Sequence, residues 1–451
     1  MRLARLNGGW RGLCAAVAAA AMLALLACAP STNEPGITTV RHVLWDANQR
    51  PLYQQCADDF QARHPQWRLR IQQLGWDDYW PALSTGFISG TAPDVFTNHV
   101  IHFPEFVANG VMRDLRPLMQ RDGVAGDIYE AGLLDAWQAR QGQYGLPLDW
   151  DTIALVVNLD MLKAAGLELA ALRQLDWNPR DGGGLGRVIA RLSVDKAGQR
   201  GDEAGFDRQL VRVFGYQNPG PGGMMGQSEW SHFAVSAGWR FQDRPWDGAL
   251  RYDDPVLIDT LNWLASLPPR GFSATPAALG RLGADAAFLS GRVAMVPSGA
   301  WMVGHFKRHA RFDHAWVPLP IGPTGQRASM RNGLALSVWS GSRQAEAAWQ
   351  WVRYAGSHAC QARIAEAGVV YPAVKGLGAV AVAAQRRQGV DASAFLEAAQ
   401  GLTFSAPLVP HAAQVSDLMA STLERILSGS ARADQALPAA AARVRAITQQ
   451  P

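Results

Sequence analysis

The chain has 451 residues, 48% of them hydrophobic, with 42 Lys and Arg against 38 Asp and Glu. That length allows two or three domain-sized cores, and that composition excludes a disordered scaffold. Without Arg2, Arg5 and Arg11 the balance is 39 against 38. With no Lys/Arg run as well, a nucleic-acid-binding surface is excluded.

Those three arginines precede an uncharged, Ala- and Leu-rich stretch at 13–27. A basic start, a short apolar run and small residues at a cleavage point predict a secretory signal over 1–27. The run is shorter than the ~20 residues a spanning helix requires. Cys28 directly follows Leu25, Leu26 and Ala27, which resembles a bacterial lipobox. The resemblance implies cleavage before Cys28 and a lipid on its sulfur and amino group. The protein would then be tethered to a membrane by acyl chains, on the periplasmic side of the cell envelope. Residues 28–37 read as a polar tether. Cys56 and Cys360 are expected as two separate buried thiols, with a disulfide as the alternative in an oxidising compartment. No Cys/His set has zinc spacing, so no metal is expected, and no cofactor.

Residues 40–45 alternate as a strand and stop at Asp46-Ala47-Asn48. Residues 52–64 follow with helical spacing, Leu52, Cys56 and Phe60 sharing a face. A strand at 67–71, a helix at 77–86 and a strand at 93–96 complete a β-α-β-α-β rhythm, the mark of an open α/β sheet. Ligands of such sheets bind beyond the carboxyl ends of the strands. Here those ends carry Asp46 and Asn48, then Thr97, Asn98 and His99. Further strands are predicted at 153–158, 293–296, 315–319 and 334–339, and helices at 254–267, 282–289 and 343–354. Ser298-Gly299-Ala300-Trp301 is expected to open another helix. Residues 214–231, dense in Pro and Gly, read as a loop. The tail from 391 reads as helical, broken near Pro407 and Pro410.

The stretch GWDDYWPALSTGFISGTAPDVFTNHVIHFPEFVANGVMRDL at 75–115 resembles the solute-binding proteins of bacterial carbohydrate ABC importers. YGLPLDWDTIALVVNLDMLKAAGL, AAFLSGRVAMVPSGAWMVG and NGLALSVWSGSRQAEAAWQWVRYAGS agree in the same order. The resemblance implies a two-lobed periplasmic-binding-protein fold: two open α/β sheets joined by a hinge, with a ligand cleft between them. Lobe 1 is expected over 38–148 and 334–357, and lobe 2 over 149–333 and 358–451. The hinge would cross near 146–152, 332–336 and 354–357. The implied ligand is a sugar, the implied partner a membrane permease, and the protein a monomer without catalysis.

A sugar offers hydroxyls around an apolar disc, so it is bound by aromatic faces and short polar groups. Asp46 and Asp151 suit this because each carboxylate oxygen accepts from a hydroxyl. Asp149 and Asp151 point to one side of an extended segment and Trp150 to the other; the resemblance favours Asp151 as the contact. Trp301 is the stacking candidate the resemblance implies, with Ser298 and Gly299 allowing close backbone approach. Asn332 and Gly333 fall at the second crossing, and an Asn amide can donate and accept at once. Asn98 stands at a strand end. Trp239, between Gly238 and Arg240, is preferred among the tryptophans of lobe 2. Trp76 and Trp80 are less favoured, Trp76 because it precedes a helix and Trp80 because it is expected to pack on that helix; Trp45, ending the first strand, is expected to be core. After Val95-Phe96 the chain departs from the maltose-type pattern, with Thr97, Asn98, His99 and Val100 in place of a Trp and a carboxylate.

Two rivals remain at this stage. One keeps the fold and binds a glycerol phosphodiester, using Arg331 and the backbone at Gly299 as an anion site; an acidic pocket argues against it. The other is a secreted glycosidase, for which two carboxylates must flank a bond. Asp149 and Asp151 are too close in sequence for that alone, and no Gly-x-Ser-x-Gly, His-Glu-x-x-His or Walker loop is present.

Overall fold

The computed structural model describes residues 36–450, apart from 141, 247–248, 276–278 and 280–281. The signal segment 1–27, the lipidation candidate Cys28 and most of the tether lie outside the described residues.

Two sheets organise the chain. The larger has six strands, in the order Tyr371–Pro372, Leu146–Asp151, Asn332–Val338, Val95–His99, Thr38–Leu44 and Trp67–Gln73. Thr38–Leu44 pairs in parallel with both Trp67–Gln73 and Val95–His99. Parallel pairing needs a crossover, supplied by the helices Arg50–Arg63 and Trp76–Ser89. The first of these buries Tyr53, Cys56, Ala57 and Phe60, the i, i+3, i+4, i+7 stripe of an amphipathic helix. The smaller sheet sets Met295–Gly299 and His314–Val317 antiparallel to the fully buried strand Ile153–Asn158.

The sheets share their chain. Leu146–Asp151 runs through Thr152 directly into Ile153–Asn158, so one extended segment serves both lobes. The buried Thr152 hydroxyl donates to the Phe395 carbonyl at 2.7 Å, and Ile153 N–H donates to Ser329 Oγ at 2.9 Å. The second crossing runs from Ala328–Met330 through Arg331 into Asn332–Val338, where Asn332 pairs with Asp151.

The expected third crossing at 354–357 is not there. The helix His358–Ala367 stays with the first lobe, tied by a Cys56–Cys360 disulfide to the helix Arg50–Arg63. The chain then adds Tyr371–Pro372 to the first sheet. It crosses only through the helix Leu377–Arg387 to Ser393–Gln400, which packs on Ile153–Asn158. The disulfide also overturns the expectation of two separate thiols. Both cysteines are fully buried and their Cα atoms are 5.5 Å apart, inside the range a disulfide spans. Two helices 304 residues apart in sequence meet only through the tertiary fold. The last two helices, Ala412–Leu427 and Ala433–Thr448, pair and cover Pro255–Ser266 in the second lobe.

Candidate functional site

A cavity of about 620 Å³ lies between the lobes, at the carboxyl ends of Thr38–Leu44 and Val95–His99. The first lobe lines it with Trp45, Asp46, Asn48, Gln49, Trp76 and His99. The crossing segments add Asp149, Asp151 and Asn332, and the second lobe adds Gln227, Glu229, Trp301, His305 and Arg308. A larger groove of about 870 Å³, between Arg41, Arg70 and Ala92, is confined to the first lobe, and no indole or carboxylate lines it.

Trp76 and Trp301 are 44% and 39% exposed. Large apolar faces left open inside a cleft mark a binding surface. Trp76 meets Trp45 edge-on, ring centroids 5.1 Å apart, and lies 5.6 Å from His99. Trp80 backs this wall, 5.2 Å from Trp45 and stacked on His102 at 3.8 Å. The second-lobe loop 214–231 reaches the cleft because Gly222 adopts φ +72°; a Cβ there would lie 2.7 Å from Glu229 Oε2. That turn delivers Gln227 and Glu229.

Hydrogen bonds join the polar groups across the crossing strands. Asn332 Nδ2 donates to His99 Nε2 at 2.9 Å and to Gln227 Oε1 at 3.4 Å. Gln227 Nε2 donates to Asp151 Oδ1. Asp149 accepts from Leu334 N–H at 3.2 Å and from Gln49 Nε2 at 3.3 Å. Burial pushes the Asp149 carboxyl up to about 7, helped by the neighbouring Asp46 and opposed by the Leu334 and Gln49 donors. Burial, then the charge of Asp149, holds Asp151 well above the usual carboxylate range, against the pull of Gln227. Burial likewise raises Glu229 to about 7. His99 is lowered to about 3, by burial and then by His102, so the imidazole is neutral.

Of the sequence candidates, the structure brings Asp46, Asp151, Trp301 and Asn332 to the cleft. Asp46 also caps its own turn, its Oδ1 accepting from Asn48 N at 2.7 Å and Nδ2 at 3.1 Å. Four candidates stand elsewhere, and one serves another purpose. Asn98 is fully buried and donates to Met112 Sδ and Ser337 Oγ inside the first lobe. Strand alternation gives the cleft position to His99 instead. Trp239 is 2% exposed, donates to the Arg251 carbonyl at 2.8 Å and packs on Phe241 at 4.5 Å; it is core. Ser298 is buried in a strand register opposite Ala154. Gly333 lets the crossing strands close up, since a Cβ there would lie 2.9 Å from the Asp149 carbonyl oxygen. Gly299 makes room for the Trp301 ring. The expected helix start at Ser298 also shifts: the strand lasts to Gly299, a 3₁₀ turn spans Ala300–Met302, and the helix is Val303–His309.

Trp76, Trp45, Gln227, Glu229 and Arg308 are cleft residues that sequence reasoning missed. Trp76 did carry a signal: it follows Gly75 at a strand's carboxyl end, ahead of the acidic first turn Asp77-Asp78. Gln227 and Glu229 sit in a loop without periodicity and carried none.

Residues 55–387 match the family described as bacterial extracellular solute-binding protein. An uncharacterized lipoprotein from the oleD 5' region of Streptomyces antibioticus is 26% identical over 320 residues, 68% of this chain and 65% of its own length. Among solved structures, an ABC substrate-binding protein of Listeria monocytogenes in complex with cycloalternan has a TM-score of 0.77 at 19% identity, covering 91% of this chain and 98% of that one. UgpB of Mycobacterium tuberculosis in complex with glycerophosphocholine has a TM-score of 0.72 at 16% identity, covering 92% and 98%. The architecture is the two-lobed periplasmic-binding-protein fold, and the chain belongs to the bacterial extracellular solute-binding proteins.

Proposed function

We propose that this bacterial extracellular solute-binding protein captures a mono- or oligosaccharide of about disaccharide size in the interlobe cleft. It would hand that cargo to the membrane permease of an ABC importer. The observation that carries the reading is the pair of open indole faces, Trp76 on one lobe and Trp301 on the other, beside short polar groups at the hinge. Sugar rings stack on indoles, and their hydroxyls donate to Asp46 and Asp151 and exchange hydrogen bonds with Asn332 and Gln227. A solute touching both lobes favours the closed arrangement by its differential affinity, with no chemical step.

The anchor belongs to the same proposal. Acyl chains on Cys28 would hold the domain at the periplasmic face of a membrane as a monomer. Among the described residues no helix is long and apolar enough to cross a membrane, and the Streptomyces relative is named a lipoprotein.

The test is a thermal-shift screen against neutral sugars, amino sugars and glycerol phosphodiesters, since a ligand of the native state alone raises the midpoint by mass action. A shift with one sugar is expected. A shift with phosphodiesters alone would replace the sugar by the ligand type seen in UgpB, and no shift at all would remove the cargo assignment.

A further inference from the structure

The cleft is unbalanced in its ionisable groups. Four carboxyl groups line it: Asp46, Asp149, Asp151 and Glu229. Among the described residues none of the four forms an ion pair with a Lys or Arg. Arg308 is the one Lys or Arg among the described lining residues, and its guanidinium donates to the exposed Asn48 Oδ1 at 3.0 Å. The two lining histidines do not compensate. Burial keeps His99 neutral, and burial, His309 and Arg308 together lower His305.

Buried carboxylates are normally paired, because desolvation costs more than isolated hydrogen bonds return. Neutral hydroxyls satisfy their lone pairs but leave the charge. A cation does both. The remaining lining is also suited to one: the open faces of Trp76 and Trp301 present the negative side of an indole quadrupole, which attracts an ammonium group within about 6 Å of the ring. Cavity, exposed aromatics and uncompensated carboxylates all belong to the same 620 Å³ space.

We infer that the solute is an amino sugar, a sugar frame carrying a protonated amine that pairs with the crossing-strand carboxylates Asp149 and Asp151 and with Glu229 of the second lobe. This rests on the carbohydrate reading and narrows it. Its sign with pH follows. Burial raises all three carboxyl groups, Asp149 and Glu229 to about 7, so below neutrality the amine must displace protons from Asp149 and Glu229. Affinity then rises with pH until the amine itself loses its proton, and binding releases protons.

The experiment is calorimetric titration of the protein with three matched disaccharides: a glucosamine dimer, its N-acetylated form and a neutral glucose dimer. Each is run at pH 6, 7 and 7.5 in two buffers of different ionisation enthalpy. The glucosamine dimer is expected to bind at least 30-fold tighter than the other two, to gain affinity from pH 6 to 7 and to release protons. E229Q and D151N should each shrink the ratio of amine to N-acetyl affinity about tenfold or more. If a neutral or N-acetylated sugar binds as tightly as the amine, the inference is overturned and the carbohydrate reading survives. If none of the three binds, the amino-sugar inference is overturned, and the thermal-shift screen against other sugars decides the carbohydrate reading.

Discussion

A Cβ placed on Gly299 would lie 1.9 Å from Cζ3 of Trp301 and 2.1 Å from its Cη2. The backbone at Gly299 is ordinary, with φ −91°, so glycine is required there for side-chain room alone. The missing Cβ lets the indole fold back over its own strand end, where Trp301 stays 39% exposed and lines the cleft. G299A should therefore displace the ring. We expect a loss of ligand affinity as large as that of W301A, tenfold or more, and a double variant no worse than W301A. Titration calorimetry on the three variants checks this; a G299A protein of native affinity would show that the ring's seat does not matter.

Trp76 and Trp239 make opposite predictions from the same residue type. Trp76 is 44% exposed and Trp239 2%. W76A should cost about 1 kcal/mol of stability or less, the usual range away from a core, yet weaken binding tenfold or more. W239A empties part of a packed aromatic cluster and should cost about 3–5 kcal/mol, leaving the affinity of the folded fraction unchanged. Urea denaturation and titration on both proteins separate the two roles.

That contrast shows how far the sequence was legible. The β-α-β-α-β order of the first lobe was readable, because periods of 2 and 3.6 are written locally; the crossing near 146–152 followed only from the family resemblance. Side-chain direction was less so. Asn98 and His99 differ by one position in a strand, and one step of parity decides which enters the cleft. Trp76 ranks low in the sequence because it precedes a helix, but in the fold it meets Trp45 and Trp80 edge-on and stays 44% exposed. Trp239 sits beside Gly238 as a ligand-stacking residue would, and only the packing of Trp230 and Phe241 around it identifies it as core. The meeting of Cys56 and Cys360 left no local trace at all.

The disulfide fixes the helix His358–Ala367 to the first lobe, so it should matter for stability and little for binding. Cross-linking two residues 304 apart removes much of the freedom of the unfolded chain. Removal of a native disulfide typically costs about 2–5 kcal/mol. C56S/C360S, or the native protein in reductant, should show a midpoint several degrees lower with ligand affinity within twofold. An unchanged midpoint would mean that helix packing alone holds this corner.

Asp149 predicts the pH dependence of stability. Its carboxyl is ordinary in the unfolded chain, near 3.8, and raised to about 7 in the fold, chiefly by burial. Between those values the folded state holds a proton that the unfolded chain has released. The contribution of Asp149 to stability therefore falls as pH rises from about 4 to 7 and is flat beyond. At ~1.4 kcal/mol per pH unit this amounts to roughly 4 kcal/mol at most. D149N removes the ionisable group while its amide oxygen still accepts from Leu334 N–H; Gln49 must turn its own oxygen toward the new NH₂. The variant should match the parent near pH 4 and exceed it by about 1–4 kcal/mol at pH 8. Glu229, raised to about 7 by burial, and Asp151, raised chiefly by burial, contribute with the same sign and keep a residual slope in D149N, which D149N/E229Q should reduce but not abolish. Urea unfolding at intervals from pH 4 to 8 measures all three proteins. A parent whose stability rises steadily across that window would mean that Asp149 is ionised in the empty cleft, held by a cation or by water.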